Sequence, residues 1–175
     1  RFEPIISAHY NTDIGISLIA GFAYTKHGFR RTPYAFRHQL LMDYSIERRS
    51  FLFTYYADYK KAFGNNDLNI NITSRGPNNV SNFFGLGNES MFEDKDTKKI
   101  GYYRNRYDVV NADVRIGRTY RHLTINGGIA GQYYTSKAVN NEFKYLKEFN
   151  QEHPEENVFA TKYYAGLIGS AELDT

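Results

Sequence analysis

The stretch Phe51-Leu52-Phe53-Thr54-Tyr55-Tyr56-Ala57-Asp58-Tyr59-Lys60-Lys61-Ala62-Phe63 decides the fold. Phe51, Phe53, Tyr55, Ala57 and Tyr59 fall on one parity, and Thr54, Tyr56, Asp58 and Lys60 on the other. Side chains alternate between the two faces of a β-strand, so this run has one apolar and one polar surface. The same alternation returns along most of the chain. Repeated in this way it points to a membrane β-barrel, apolar outside and wet inside.

Working outward, the alternation predicts seven strands, with strand one at Phe2–Tyr10 and strand two at Ile14–Thr25. Strand two places Ile14, Ile16, Leu18, Phe22 and Tyr24 on the outer face. Strand three is Tyr34–Glu47, with Phe36, Leu40, Met42, Tyr44 and Ile46 outside, Arg37, Gln39, Asp43, Ser45 and Glu47 inside, and His38 breaking the outer face. Strand four is Phe51–Phe63. Strand five, Tyr102–Arg118, sets Val110, Ala112, Val114 and Ile116 against Asn111, Asp113, Arg115 and Gly117. Strand six, His122–Lys137, sets Leu123, Ile125, Ile129 and Tyr133 against Thr124, Asn126, Gln132 and Tyr134. Strand seven is Val158–Glu172, with Phe159, Tyr163, Ala165, Leu167 and Ala171 outward.

Composition fits this class. The 175 residues include 16 Tyr and 13 Phe, which suit the aromatic girdles of a membrane barrel. Outer-face aromatics near strand ends, namely Tyr34, Phe36, Phe51, Tyr59, Phe63, Tyr133 and Tyr163, are the candidates. The mean hydropathy of −0.61 does not argue for solubility, because a barrel strand needs only about 9–11 residues and shows lipid to alternate positions. The longest uncharged apolar stretch, Ile14 to Tyr24, is far short of the roughly 20 residues of a spanning helix. A net charge of +3, spread along the chain without a basic block, gives no nucleic-acid footprint. There is no Cys, which rules out disulfides and thiolate chemistry.

The connections then read short, long, short, long, short, long. Outer-membrane barrels have short periplasmic turns and longer extracellular loops. The reading therefore places Lys26–Pro33, Gly64–Gly101 and Ala138–Asn157 on the outer side, the last with a helical turn. The turns Asn11–Asp13, Arg48–Ser50 and Thr119–Arg121 fall on the other. Seven is an odd number, whereas bacterial single-chain barrels use even counts. The whole chain, 1–175, thus reads as one partial barrel domain, whose first and last strands pair with strands beyond it or with another chain.

Catalytic signals are weak. His9, His27, His38, His122 and His153 lie far apart with no metal-binding spacing, and Gly169-Ser170-Ala171 lacks a nucleophile-elbow frame. Glu93, Asp94 and Asp96 read as solvated loop charge. No enzyme activity, cofactor or metal is expected of this segment. The inward residues Arg37, Asp43, Asp58, Asp113 and Arg115, with Glu47 and Lys60, mix both signs and line a hydrated lumen without clear ion selectivity.

One stretch carries more than periodicity. Arg75-Gly76-Pro77-Asn78-Asn79-Val80-Ser81-Asn82-Phe83-Phe84-Gly85-Leu86-Gly87-Asn88-Glu89-Ser90, followed by Tyr102-Tyr103-Arg104, resembles the loop-plus-strand signature of BamA/TamA-like bacterial surface antigens. It looks most like the barrels that follow a calcineurin-like phosphoesterase. In the residues themselves, Gly76-Pro77-Asn78-Asn79 is a turn signal, Gly85 and Gly87 permit unusual backbone, and Phe83 and Phe84 need something to bury against. A loop folded over or into the lumen satisfies all three. The resemblance implies an outer-membrane barrel of about 16 strands, with the lipid bilayer and other envelope proteins as partners. It implies a scaffold or protein assembly and translocation role, worked by strained strand pairing and local membrane thinning. The arginine-glycine-phenylalanine loop motif of the insertases is not seen, since Gly28-Phe29-Arg30 is not that motif. A passive porin or transporter barrel, or the membrane anchor of a fused envelope phosphoesterase, are the alternative readings.

Overall fold

The computed structural model describes residues 1–12, 15–87 and 99–174. They build one antiparallel sheet with its strands in chain order. The strands are β1 (Phe2–Asn11), β2 (Gly15–Gly28), β3 (Arg31–Ser45), β4 (Ser50–Phe63), β5 (Asn66–Asn82), β6 (Arg104–Tyr120), β7 (Leu123–Thr135) and β8 (Lys162–Leu173). Two short helices, α1 (Ile100–Tyr103) and α2 (Tyr145–Glu152), sit in the connections before β6 and before β8. Strands reach 17 residues in β5 and β6, beyond the usual ~3–10 of globular proteins. The sheet is not closed: among the described residues β1 pairs only with β2 and β8 only with β7. No helix among them is long and apolar enough to cross a membrane.

Among the described residues, eight strands therefore stand where the alternation predicts seven. The additional strand, β5, lies within Gly64–Gly101, which reads as a loop because it is rich in Asn and carries Gly-Pro. Its first half nonetheless alternates cleanly, with Leu68, Ile70 and Ile72 against Asn69, Asn71 and Thr73. The turn expected at Gly76-Pro77-Asn78-Asn79 is a bulge inside this strand. Pairing with β6 jumps from Arg75↔Val109 to Asn79↔Tyr107, and Gly76 and Asn78 take φ of 149° and 67°. A bulge accommodates the additional residues that a flat ladder cannot, and Gly is the residue that tolerates such backbone.

The extra strand reverses the expected sidedness of the second half of the chain. Gly28 pairs with Arg31, Phe63 with Asn66 and Tyr120 with Leu123, so three two-residue turns share one edge of the sheet. Such turns need positive φ, which Arg30, Gly64 and Arg121 supply at 57°, 65° and 55°. Lys26–Pro33 is thus no long loop, because the β2–β3 hairpin runs almost to its tip. The connections after β1, β3, β5 and β7 share the opposite edge, so Ala138–Asn157 lies with Arg48–Ser50 and with the β1–β2 connection, while Thr119–Arg121 lies with the β2–β3 turn. The expected segregation of connection lengths does not hold: one edge carries only two-residue turns, while the other mixes the short β1–β2 and β3–β4 connections with the two long ones. Strand ends move as well: Tyr102 and Tyr103 belong to α1, and β8 begins at Lys162. Asp13, expected in the first turn, and Ile14, expected on the outer face, lie outside the described residues.

Registry makes the two faces continuous across strands. One row runs Leu40, Tyr55, Ile72, Ala112, Gly131 and Ala165, and the next runs His38, Ala57, Ile70, Val114, Ile129 and Leu167. The opposite face carries Arg37, Asp58, Asn69 and Arg115 in one row and Gln39, Tyr56, Asn71 and Asp113 in another. The apolar face is open: Ile129, Tyr163 and Leu167 are 65%, 76% and 91% exposed. Aromatic pairs stand toward its two ends, Phe36 with Tyr59 at 5.8 Å on one and Tyr44 with Phe51 at 4.6 Å on the other. Some sites allow no side chain. A Cβ on Gly128 would meet the carbonyl of Val114 and lie 2.8 Å from Arg115 Cα, so strand β7 approaches β6 there only as glycine.

Candidate functional site

The polar face holds a hydrogen-bonded charge network centred on Asp58, whose side chain is 3% exposed. Tyr34 donates its hydroxyl to Asp58 Oδ2 at 2.6 Å, Asn69 donates to Oδ1 at 3.0 Å, and Lys60 Nζ lies 3.2 Å from Oδ2. Lys60 also reaches Asp67 Oδ2 at 2.9 Å. Next to it, Asp113 Oδ1 accepts from Arg115 Nε at 2.6 Å and from Asn71 Nδ2 at 3.0 Å. A buried carboxylate is tolerable only with such partners. Asp58→Ala is expected to destabilise the folded protein by about 1–3 kcal/mol, the cost of stranding buried donors. Asp58→Asn should restore part of that loss in a urea melt of the detergent-folded protein, and equal stability of wild type and Asp58→Ala would refute the assignment.

Arg37, Asp43, Asp58, Asp113 and Arg115 share this one face, as the alternation expects. They do not converge on a point: Asp43 lies 3.8 Å from His9 and belongs to a different row from Asp58. Tyr34 departs from the expected outer girdle. The bulge between β2 and β3, where pairing jumps from Lys26↔Phe36 to Gly28↔Arg31, lets its hydroxyl reach Asp58. His38, the break in the outer face, is explained by pairing: its Nδ1 lies 2.8 Å from the Tyr55 hydroxyl, and its ring packs edge-on to Phe36 and Tyr59.

The second feature is an aromatic cap at the long-connection edge. Phe83 packs on Tyr145 and Phe149 of α2 at 6.0 and 5.1 Å, and Phe84 packs on Tyr103 of α1 at 5.2 Å. Tyr103, Leu146 and Phe149 are buried. The two phenylalanines of the motif thus pack, half-buried, against α1 and α2. Of the remaining motif residues, Gly76, Pro77, Asn78 and Asn79 lie in β5, Gly85, Leu86 and Gly87 follow Phe84 in the connection, and Asn88 and Glu89 lie outside the described residues. So do Glu93, Asp94 and Asp96. Tyr102 donates to Glu148, and burial together with that bond pushes its phenol up from the ordinary value.

Asn141, which the sequence does not single out, ties the cap to the sheet. It is fully buried, accepts from the Arg106 N–H at 2.7 Å, and donates to the Arg106 carbonyl at 2.9 Å. Its amide also donates to the Lys137 carbonyl at 2.9 Å and to Ser136 Oγ at 3.1 Å. One side chain thereby supplies Arg106 with the ladder bonds a neighbouring strand would give.

Among the described residues no three His, Cys, Asp or Glu side chains group as a metal site. The arrangement offers a paired polar face, an open apolar face and a clamped cap. Compared with known proteins, the chain matches no family model, no curated protein and no solved structure.

Proposed function

We propose that the chain is part of an outer-membrane β-barrel of the BamA/TamA-like surface-antigen kind, acting as a scaffold or in protein assembly and translocation without covalent chemistry. The observation that carries the membrane reading is the largely apolar face, aligned row by row across the strands, with polar His38 and Ser74 within it, and open to its surroundings. Contiguous apolar surface of that extent belongs against lipid or a partner. The motif Gly76 to Glu89 supports the family.

Free strand edges are costly in hydrocarbon, because each unpaired N–H or C=O loses several kcal/mol there. The edges of β1 and β8 therefore call for further strands, in keeping with a barrel of about 16. The three two-residue turns mark the periplasmic edge, and the long connections with the aromatic cap mark the cell surface.

Single cysteines introduced at Asn140, Arg49, Asn65 and Arg121 test this orientation in intact cells. A membrane-impermeant maleimide should label Asn140→Cys and Arg49→Cys, and should reach Asn65→Cys and Arg121→Cys only after the outer membrane is permeabilised. Labelling of all four in intact cells would sink the topology.

A further inference from the structure

On the apolar face, Ala112, Gly131 and Ala165 form a row of small residues across β6, β7 and β8. It is flanked by Val110, Tyr133 and Tyr163 on one side and by Val114, Ile129 and Leu167 on the other. The result is a trench of about 810 Å³, within the range of ligand sites. Toward the cap, the alternation of β6 carries Arg106 and Arg104 onto the same side of the sheet as Val110. Arg106 lies roughly 13 Å from Val110 at about 3.3 Å per residue.

The elements around Arg106 are fastened together. Asn141 holds its backbone, its Nη1 donates to Asn78 Oδ1 at 3.5 Å, and Asn78 donates to the Arg49 carbonyl at 3.4 Å. Lys144 donates to the Gly101 carbonyl. Burial, and then the charges of Arg106, Arg104 and Arg48, hold the Lys144 ammonium below its ordinary value. An anion seated there relieves that repulsion. Among the described residues of β6, Asp108 is the acid on this side, set against Gly76.

We propose that β6, β7 and β8 bind one phosphorylated, acylated lipid, its phosphate at Arg106 and Lys144 and an acyl chain in the Ala112–Gly131–Ala165 trench. This rests on the membrane reading above, with the cap at the cell surface. Arg106 above and an apolar channel below, on one side of one sheet, match the two halves of such a lipid, and Lys144 joins Arg106 through Asn141, whose carbonyl accepts the Lys144 N–H at 3.2 Å. Arg suits the phosphate because its planar fork can donate two bonds to it.

Native mass spectrometry of the detergent-purified protein, titrated with dioleoyl phosphatidic acid, dioleoyl phosphatidylcholine or inorganic phosphate, tests it. One phosphatidic acid should bind at least tenfold more tightly than phosphatidylcholine, with inorganic phosphate competing poorly. R106Q/K144Q should abolish the preference, and Ala165→Phe should weaken phosphatidic acid binding while the preference remains. Equal binding of the two lipids, indifference to both variants, or full competition by equimolar inorganic phosphate would overturn the lipid site. Heat-modifiable migration, measured on the same samples, separates the two readings. A protein that inserts but does not discriminate overturns this inference alone, whereas one that never inserts overturns the membrane reading with it.

Discussion

Ile129→Arg is expected to remove most of the folded, membrane-inserted protein, whereas Gln132→Arg on the same strand should be tolerated. Ile129 sits on the apolar face between Val114 and Leu167 and is 65% exposed there. In lipid an arginine near the midplane costs roughly 2–4 kcal/mol, a large part of a stability of about 5–15. Gln132 lies on the polar face, donating to Asn111 at 2.7 Å, where a charge stays hydrated. Heat-modifiable migration after extraction from membranes measures the folded fraction. The reverse ranking would mean that lipid lies against the other face, since a shift of one residue flips every side chain.

The second large effect is expected at Asn141. Asn141→Ala removes four hydrogen bonds from a fully buried position and strands the N–H of Arg106, whose carbonyl keeps the Ser136 hydroxyl at 2.9 Å. The stranded group costs about 1–3 kcal/mol. The loss should fall on the cap, so protease cleavage between Lys137 and Lys162 should accelerate at least tenfold while the sheet remains folded. Asn141→Asp keeps the acceptor for the Arg106 N–H but loses the donors, and should fall between. Unchanged cleavage in Asn141→Ala would show that the cap is held by its aromatic packing alone.

Parity is the property most legible in the sequence. In β4, β6 and β7 the facing of the quoted residues follows from alternation, because apolar residues mark one face and polar residues, charged in β4 and β6, mark the other. Parity fails at Tyr34, where a bulge shifts the phase and leaves no local signature. Strand β5 is hidden by its own composition: Asn69 and Asn71 read as turn formers but pair with Asp58 and Asp113 across the polar face. The two-residue turn Phe29-Arg30 is obscure for a related reason, since it lacks the glycine that advertises positive φ, whereas the turn ending at Arg121 is read within a residue of its place. One strand overlooked inverts the sidedness of all that follows, because each strand reverses direction. Asn141 is illegible because its role depends on Arg106, 35 residues away in the chain.

The central claim, that the apolar face meets lipid and the polar face meets water, is tested most directly by a nitroxide scan along β7, Leu123 to Thr135, in the protein reconstituted into liposomes. Accessibility to oxygen and to a water-soluble nickel chelate should alternate with a period of two. Labels at Ile125, Ile129 and Gly131 should favour oxygen, and labels at Asn126, Ala130 and Gln132 should favour the chelate. Chelate access at both sets, without alternation, would contradict the account.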